Sequence, residues 1–105
     1  MLFRSEAFKK VFLRRYFSKS VCQQFEQEFV FLKQGNRTVK EYELEFTRLS
    51  RFAPDLISTE EARAKRLLNG LHPVIQHDLA TWDLVTYGEV LEKALQSEKS
   101  RNQLR

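Results

Sequence analysis

Residues that form tight turns and cross-links are scarce in this sequence of 105 residues. Three glycines and two prolines are too few for a sheet protein built on many tight turns. The one cysteine, Cys22, excludes an intramolecular disulfide framework and is typical of a reducing compartment. With 42% hydrophobic and 30% charged residues, the composition favours helices with solvated outer faces around one modest core.

Long apolar runs are also lacking. The longest, at residues 29–32, has four residues, whereas a membrane-spanning helix needs about 18 or more. We therefore expect no membrane partner and a cytoplasmic location, with the nucleus left open as an alternative. The basic, Phe-containing N-terminus superficially resembles a presequence, but it lacks a Ser-rich, acid-poor continuation and leads into more helix, so we interpret it as part of the fold.

The positive charge is concentrated at the N-terminus. The net charge is +4, and residues 1–20 carry six basic side chains against one acidic, while residues 21–105 carry 12 basic and 13 acidic. One interpretation is a weak, salt-sensitive contact with nucleic acid; the other is the solvated face of a helix. The candidate contact residues are Lys9, Lys10, Arg14 and Arg15.

One helix-start signal occurs three times. A Ser or Thr is followed three residues later by Glu, which is the pattern of a capping box, where each side chain accepts from the backbone N–H of the other residue. The pairs are Thr38 with Glu41, Ser58 with Glu61, and Thr86 with Glu89. Each pair opens a segment of apolar residues at helical spacing and therefore predicts a helix start.

Apolar residues recur at steps of three and four in six segments. These segments lie at 8–16, 22–32, 39–53, 62–68, 75–82 and 90–95. Pro54 stops the third, Asn69 and Gly70 predict a left-handed cap for the fourth, and Pro73 suits the first turn of the fifth. The sequence predicts an all-α fold, a small bundle of about six helices.

The turn at 34–37 is the best candidate for a domain boundary, between a Phe-rich segment at 1–35 and a neutral segment at 36–105. Seven of the nine Phe residues precede residue 35. A lone helical hairpin cannot bury that surface, so it packs on the remainder, on further sequence, or on a second chain, with domain swapping across the turn as one route. The candidate self-association residues are Phe25, Phe29 and Trp82.

Catalytic patterns are missing. Cys22 lies on an apolar stripe, where burial as a thiol is expected. His72 and His77 are five residues apart across a proline turn, unlike the pair four apart in helical zinc sites. The sequence has no Cys-x-x-Cys pair, glycine-rich phosphate loop or Gly-x-Ser-x-Gly motif. We expect no enzymatic activity, metal or cofactor.

Several blocks resemble a known family. Residues 29–35 (FVFLKQG), 38–42 (TVKEY) and 46–49 (FTRL) resemble the retrotransposon gag domain of gypsy-type LTR elements, plant copies above all. They are also similar to the major homology region of retroviral capsids, in which Gln-Gly precedes a helix with Tyr and Phe four residues apart. The family usually has a Trp where this chain has Ser5, three residues before Phe8. It usually has a Pro where this chain has Ser18, directly after the Tyr-Phe pair at 16–17.

A second block comprises 52–54, Glu60 or Glu61, Arg66, and 70–73 with Ile75, and the last helix matches at 86–87 with Glu89, Ala94 and Glu98. Upstream, Phe8, Phe12 and residues 16–17 resemble the block that ends the N-terminal lobe of the capsid.

The resemblance implies a fold like the C-terminal lobe of a retroviral capsid at 36–105, preceded at 1–35 by the end of the N-terminal lobe. It implies a non-enzymatic module that associates with copies of itself in capsid assembly, and a fragment or remnant of such a protein. A nucleic-acid-binding accessory domain and a domesticated helical adaptor are the alternatives. The homology-region residues, expected to be structural, are Gln34, Gly35, Thr38, Glu41, Tyr42 and Phe46.

Overall fold

A computed structural model describes residues 12, 13 and 15–103 of the chain, and all regular structure within them is helical. The predicted all-α fold is therefore confirmed. The helices are α1 (Lys19–Val30), α2 (Val39–Ser50), α3 (Glu60–Gly70), α4 (Pro73–Leu79) and α5 (Tyr87–Gln103), with a short 3-10 turn at Pro54–Ile57.

The predicted first helix falls only partly on the described residues. Phe12, Leu13, Arg15 and Tyr16 are helical, whereas positions 8–11 and 14 lie outside the described residues. The number of six helices thus stays a prediction, while the other five segments each correspond to one of the helices α1 to α5.

Two of the three predicted capping boxes form. At the start of α2, the Glu41 N–H donates to Thr38 Oγ1 (3.1 Å) and the Thr38 N–H donates to Glu41 Oε1 (2.9 Å). At the start of α5, the Glu89 N–H donates to Thr86 Oγ1 (3.2 Å) and the Thr86 N–H donates to Glu89 Oε1 (3.1 Å). These hydrogen bonds stabilise the ionised carboxylates, so the pKa values of Glu41 and Glu89 are lowered.

The third predicted box, Ser58 with Glu61, is wrong by one residue. Ser58 follows the 3-10 turn and keeps a helical backbone, with φ −68° and ψ −22°. The N-cap of α3 is Thr59, whose extended backbone lets Oγ1 accept from the Ala62 N–H at 3.0 Å. Ser58 and Thr59 are adjacent hydroxyl residues, and either could cap a helix. The 3-10 turn before them decides which one has the extended backbone that a cap needs, and the sequence pattern does not show that turn.

The core is arranged around α2. Its inward residues Val39, Tyr42, Phe46 and Leu49 are each at most 2% exposed. The ring of Phe46 lies between the ring of Phe29 on α1 (centroids 4.9 Å apart) and that of Tyr87 on α5 (5.7 Å). This one side chain therefore contacts aromatic rings of two other helices.

The described part of the Phe-rich segment packs on the remainder of its own chain. The ring of Phe52, just after α2, lies 4.8 Å from that of Phe25 and 5.8 Å from that of Phe17. The guanidinium of Arg48 lies 5.6 Å from the centre of the Phe25 ring. Cys22 is buried beside them as a free thiol, as its place on the apolar stripe predicted.

Gly70 is required for space and not for a left-handed cap, so that prediction for Asn69 and Gly70 is wrong. Gly70 is the last residue of α3, and Gly35 is the only described residue with a positive φ (57°). A Cβ at Gly70 would overlap the Tyr42 hydroxyl and lie 3.1 Å from the Leu32 carbonyl oxygen. The missing side chain lets α2 and the end of α1 approach α3 closely.

Asp78 joins α4 to the C-terminal half of α5. Its carboxylate accepts from Ser97 Oγ (2.6 Å) and from Nε and Nη2 of Arg101 (both 2.7 Å). The Arg101 guanidinium, with a further hydrogen bond from Ser97, lowers the pKa of Asp78 to about 2. The ionised carboxylate is therefore the form that holds the two helices together.

We predict that Gly70→Ala destabilises the fold and that Gly88→Ala does not. Overpacking at Gly70 should lower the free energy of unfolding by about 1–3 kcal/mol. A Cβ at Gly88, the second residue of α5, would meet no atom within 4 Å. Because Ala favours the helix over Gly, this substitution should raise the free energy of unfolding by up to about 1 kcal/mol. Urea unfolding followed by circular dichroism measures both. Equal effects of the two substitutions would refute the spatial role of Gly70.

We also predict a pH-dependent contribution from Asp78. Its pKa falls from an ordinary 3.8 to about 2 on folding, so the stabilisation is present above about pH 4 and lost as the pH falls towards about 2. Unfolding by urea across this window should show a smaller loss of stability for Asp78→Asn than for the unmodified chain. The control Asp83→Asn, at an exposed position, should follow the unmodified chain. A variant Asp78→Asn with unchanged pH dependence would contradict the assignment.

Candidate functional site

The side chain of Gln34 ties the turn before α2 to the connection between α3 and α4. Gln34 is only 4% exposed. Its Nε2 donates to the Arg37 carbonyl (2.9 Å) and its Oε1 accepts from the His72 N–H (2.8 Å). Its own N–H donates to the Gly70 carbonyl (2.7 Å). One buried amide thus satisfies backbone groups in two loops.

The turn itself depends on Gly35, whose φ of 57° favours glycine. The Arg37 N–H donates to the Gln34 carbonyl (3.0 Å) and closes the turn, after which Thr38 caps α2. A second carboxylate reaches the same helix end, because the Val39 N–H donates to Glu98 Oε2 of α5 at 2.8 Å. The N–H groups at the start of α2, which have no partner within the helix, therefore donate to side chains of the cap itself and of α5.

Tyr42 and Phe46 attach α2 to its neighbours. The Tyr42 hydroxyl donates to the Leu67 carbonyl of α3 (2.9 Å), and burial raises the pKa of Tyr42 above its ordinary range. Tyr87, at the start of α5, donates to Glu43 Oε2 (2.6 Å); burial, then this hydrogen bond, raises its pKa to about 12. Both phenols therefore stay protonated at neutral pH and act as hydrogen-bond donors.

The six predicted homology-region residues come together around the first half of α2. Their polar atoms are used in hydrogen bonds within the fold, and Tyr42 and Phe46 are each 1% exposed. The arrangement positions helices. Sequence reasoning missed the capping carboxylate of Glu98 and that of Glu60, which accepts from the Tyr87 N–H at 2.9 Å. Both act across long stretches of chain, where periodicity gives no signal.

Of the residues considered for metal binding or catalysis, Cys22 is buried and His72 has a structural contact. His72 caps α4 through Nδ1, which accepts from the Val74 N–H (3.2 Å). Within the described part of the chain, no group of three His, Cys, Asp or Glu side chains is placed to hold a metal ion. None of the described helices is long and apolar enough to cross a membrane.

The predicted self-association residues differ in exposure. Phe29 is 2% exposed and cannot serve as a surface contact, because it packs on Phe46 in the core. Phe25 is half-buried between Phe52 and Arg48. Trp82 is 54% exposed and lies between α4 and α5. Of the three, Trp82 presents the most surface.

Other large aromatic side chains are more exposed than the predicted ones. Phe31, after the end of α1, is 76% exposed, and Tyr16 is 71% exposed, with the ring of Phe12 4.9 Å away. The apolar stripe of the α1 segment consists of residues 22, 25, 29 and 32, and Phe31 falls outside it. This spacing could have identified Phe31 as an exposed residue.

The candidate nucleic-acid contacts remain a prediction. Lys9, Lys10 and Arg14 lie outside the described residues, and Arg15 is exposed on the short helical segment before α1. The structure therefore shows the surroundings of only one of the four.

A cleft of roughly 390 Å³ lies between α1 and α3. We call it the α1–α3 cleft. It has an apolar floor and a rim with three cationic side chains, and sequence reasoning did not anticipate it. Its accessible apolar lining is formed by Val30, Leu32, Leu56 and Ala62, beneath which Phe29, Tyr42 and Phe46 are buried. The cationic residues are Lys33, Lys65 and Arg66.

A scan of the chain against protein-family models found no match, and searches of curated proteins and of solved structures found none. The class that the described residues define is that of an all-α helical domain. The relation to gag proteins therefore stays a prediction from the sequence.

We predict that Gln34→Met lowers the free energy of unfolding by about 1–3 kcal/mol, because the His72 N–H and the Arg37 carbonyl lose a partner in a partly buried place. Methionine keeps the length of the side chain. The matched control Gln23→Met, on the exposed face of α1, should change stability by less than about 0.5 kcal/mol. Urea unfolding distinguishes the two, and an equally small effect at Gln34 would contradict its structural role.

Proposed function

We propose that the chain is a non-enzymatic, gag-type capsid module that associates with copies of itself in the assembly of a retroelement capsid. The observation that carries this proposal is the large aromatic surface left on a well-packed helical domain. Tyr16, Phe31 and Trp82 are each more than half exposed, although the interior is filled by other aromatic side chains. Large exposed apolar groups of this kind are typical of protein–protein contacts.

The turn that carries the resemblance supports the same proposal. Gln34, Gly35 and Thr38 act on backbone groups, and Tyr42 and Phe46 join helices. The resemblance implies this structural role for the homology region of a capsid. A module that uses its motif residues for internal support leaves contact with partners to its surface side chains.

The chemistry of the surface also favours a protein partner. Tyr and Trp combine a large apolar area with a polar edge and lose little conformational entropy on binding, so they often carry much of the binding energy at interfaces. Trp82 lies in the α4–α5 connection and Phe31 lies just after α1. Two separate contact regions suit an assembly that extends beyond a single pair.

The test is light scattering during size-exclusion chromatography, over a range of protein concentrations at low and high salt. We expect concentration-dependent dimers or larger species that persist at high salt, because apolar contacts are little screened. A variant with Tyr16→Ser, Phe31→Ser and Trp82→Ser should stay monomeric. A control with Gln23→Ser, Gln27→Ser and Thr81→Ser, all at exposed positions, should associate like the unmodified chain.

A strictly monomeric chain at all concentrations would refute self-association. Binding to a single-stranded RNA homopolymer that falls steeply with salt, without self-association, would favour the nucleic-acid alternative instead.

A further inference from the structure

The α1–α3 cleft offers both an apolar floor and an excess of positive charge. None of its lining residues is acidic. The Arg66 guanidinium lies 5.7 Å from the centre of the Phe29 ring, and the Lys33 ammonium donates to the Asn69 carbonyl at 3.3 Å. Lys65 is exposed, and within the described residues it forms neither a hydrogen bond nor an ion pair. The cleft therefore suits a group that is apolar and carries a carboxylate.

The connection between α4 and α5, residues 80–86, has this combination; we call it the α4–α5 loop. Trp82 and Val85 are 54% and 51% exposed, and Asp83 between them is exposed. The flanking carboxylates are already engaged, Asp78 with Arg101 and Glu89 with Thr86. Asp83 has no hydrogen bond or ion pair to another described residue.

The α4–α5 loop is held in place before any partner binds. The Trp82 N–H donates to the Leu79 carbonyl (3.0 Å), and the Lys93 ammonium lies 3.9 Å from the centre of the Trp82 ring. The Thr86 capping box fixes the other end. A loop that is already ordered loses less conformational entropy on docking.

We propose that the α4–α5 loop of one copy docks in the α1–α3 cleft of a second copy. Trp82 lies against the accessible apolar lining of the cleft, and Asp83 faces Lys65 and Arg66. The accessible apolar residues are Val30, Leu32, Leu56 and Ala62. The cleft, at roughly 390 Å³, is within the range of about 300–1,000 Å³ that is common for binding pockets. The proposal rests on the proposed function and names the two surfaces that carry it.

Charge favours this loop over the other aromatic surface of the chain. The N-terminal segment also exposes aromatic side chains, but residues 1–20 carry six basic groups and one acidic group. The cationic rim of the cleft would repel it. Residues 78–89 contain no Lys or Arg, and the cation that lies beside the loop, Lys93, is held against the Trp82 ring. The α4–α5 loop is therefore closer in charge to a complementary partner than the basic N-terminal segment is.

Docking of this kind gives a head-to-tail assembly. The loop and the cleft are different surfaces, so each copy inserts its loop into one neighbour and receives the loop of another. Such contacts close into rings or extend into filaments, whereas a self-complementary surface stops at a two-fold dimer. Species larger than dimers are therefore expected at high concentration.

The first measurement uses the intrinsic fluorescence of Trp82, the only tryptophan of the chain. Its emission should shift to shorter wavelength as concentration rises, in step with the mass from light scattering, because docking removes the indole from water. If the mass rises without a shift, self-association stands and the loop lies outside the contact, which overturns this proposal alone. If the mass does not rise, both proposals fail.

The second measurement reverses the charges. Lys65→Glu and Asp83→Lys should each weaken association by about tenfold or more, and the double variant should recover it, because the pair is restored with opposite signs. Both positions are exposed and without partners in the described residues, so the fold should be unaffected. The control Lys40→Glu makes the same charge change on an exposed part of α2 and should associate like the unmodified chain.

The double variant separates a specific contact from a general effect of charge. Association that remains as weak in the double variant as in the single ones would overturn the pairing of Asp83 with Lys65. Equal weakening by Lys40→Glu would do the same, because it would assign the effect to net charge.

Discussion

Tyr42 reaches across the core to the backbone of α3, and this close approach is the constraint on which the other helices depend. The phenol donates to the Leu67 carbonyl and occupies the space that a side chain at Gly70 would need. With α2 and α3 held at this distance, the Gly70 carbonyl is within reach of the Gln34 N–H, and the turn before α2 is fixed to the end of α3. A larger residue at Gly70 would therefore disturb both of these hydrogen bonds together.

Local signals in the sequence predicted most of the helices, and long-range contacts account for most of what it did not predict. Two capping boxes and the apolar stripes placed helix starts and inward faces, because both depend on neighbouring residues. The cap at Thr59 depends on a preceding 3-10 turn, and the role of Gly70 depends on Tyr42 from another helix. The stripe of α1 indicated that Phe29 faces inward, but it could not show that Phe46 of α2 covers it.

The sequence predicted the structural residues of the candidate site, but it did not predict the α1–α3 cleft. Gln34, Thr38 and Glu41 bind backbone groups as expected of a turn and a cap. The cleft between α1 and α3 combines residues from three helices and the 3-10 turn, and no pattern along the chain brings them together. Internal support therefore comes from buried side chains, while Tyr16, Phe31 and Trp82 are each more than half exposed.

Glu98 and Glu60 each bind the backbone at the start of a helix far from them in sequence. The start of α2 is complete only when α5 is in place, and the start of α5 only when α3 is in place. The three helices are thereby linked in series, so that unfolding of α3 exposes a polar backbone group of α5, and unfolding of α5 exposes one of α2. Such a domain should unfold cooperatively, in one transition, and a chain cut within α5 should lose order as far away as the turn at 34–37.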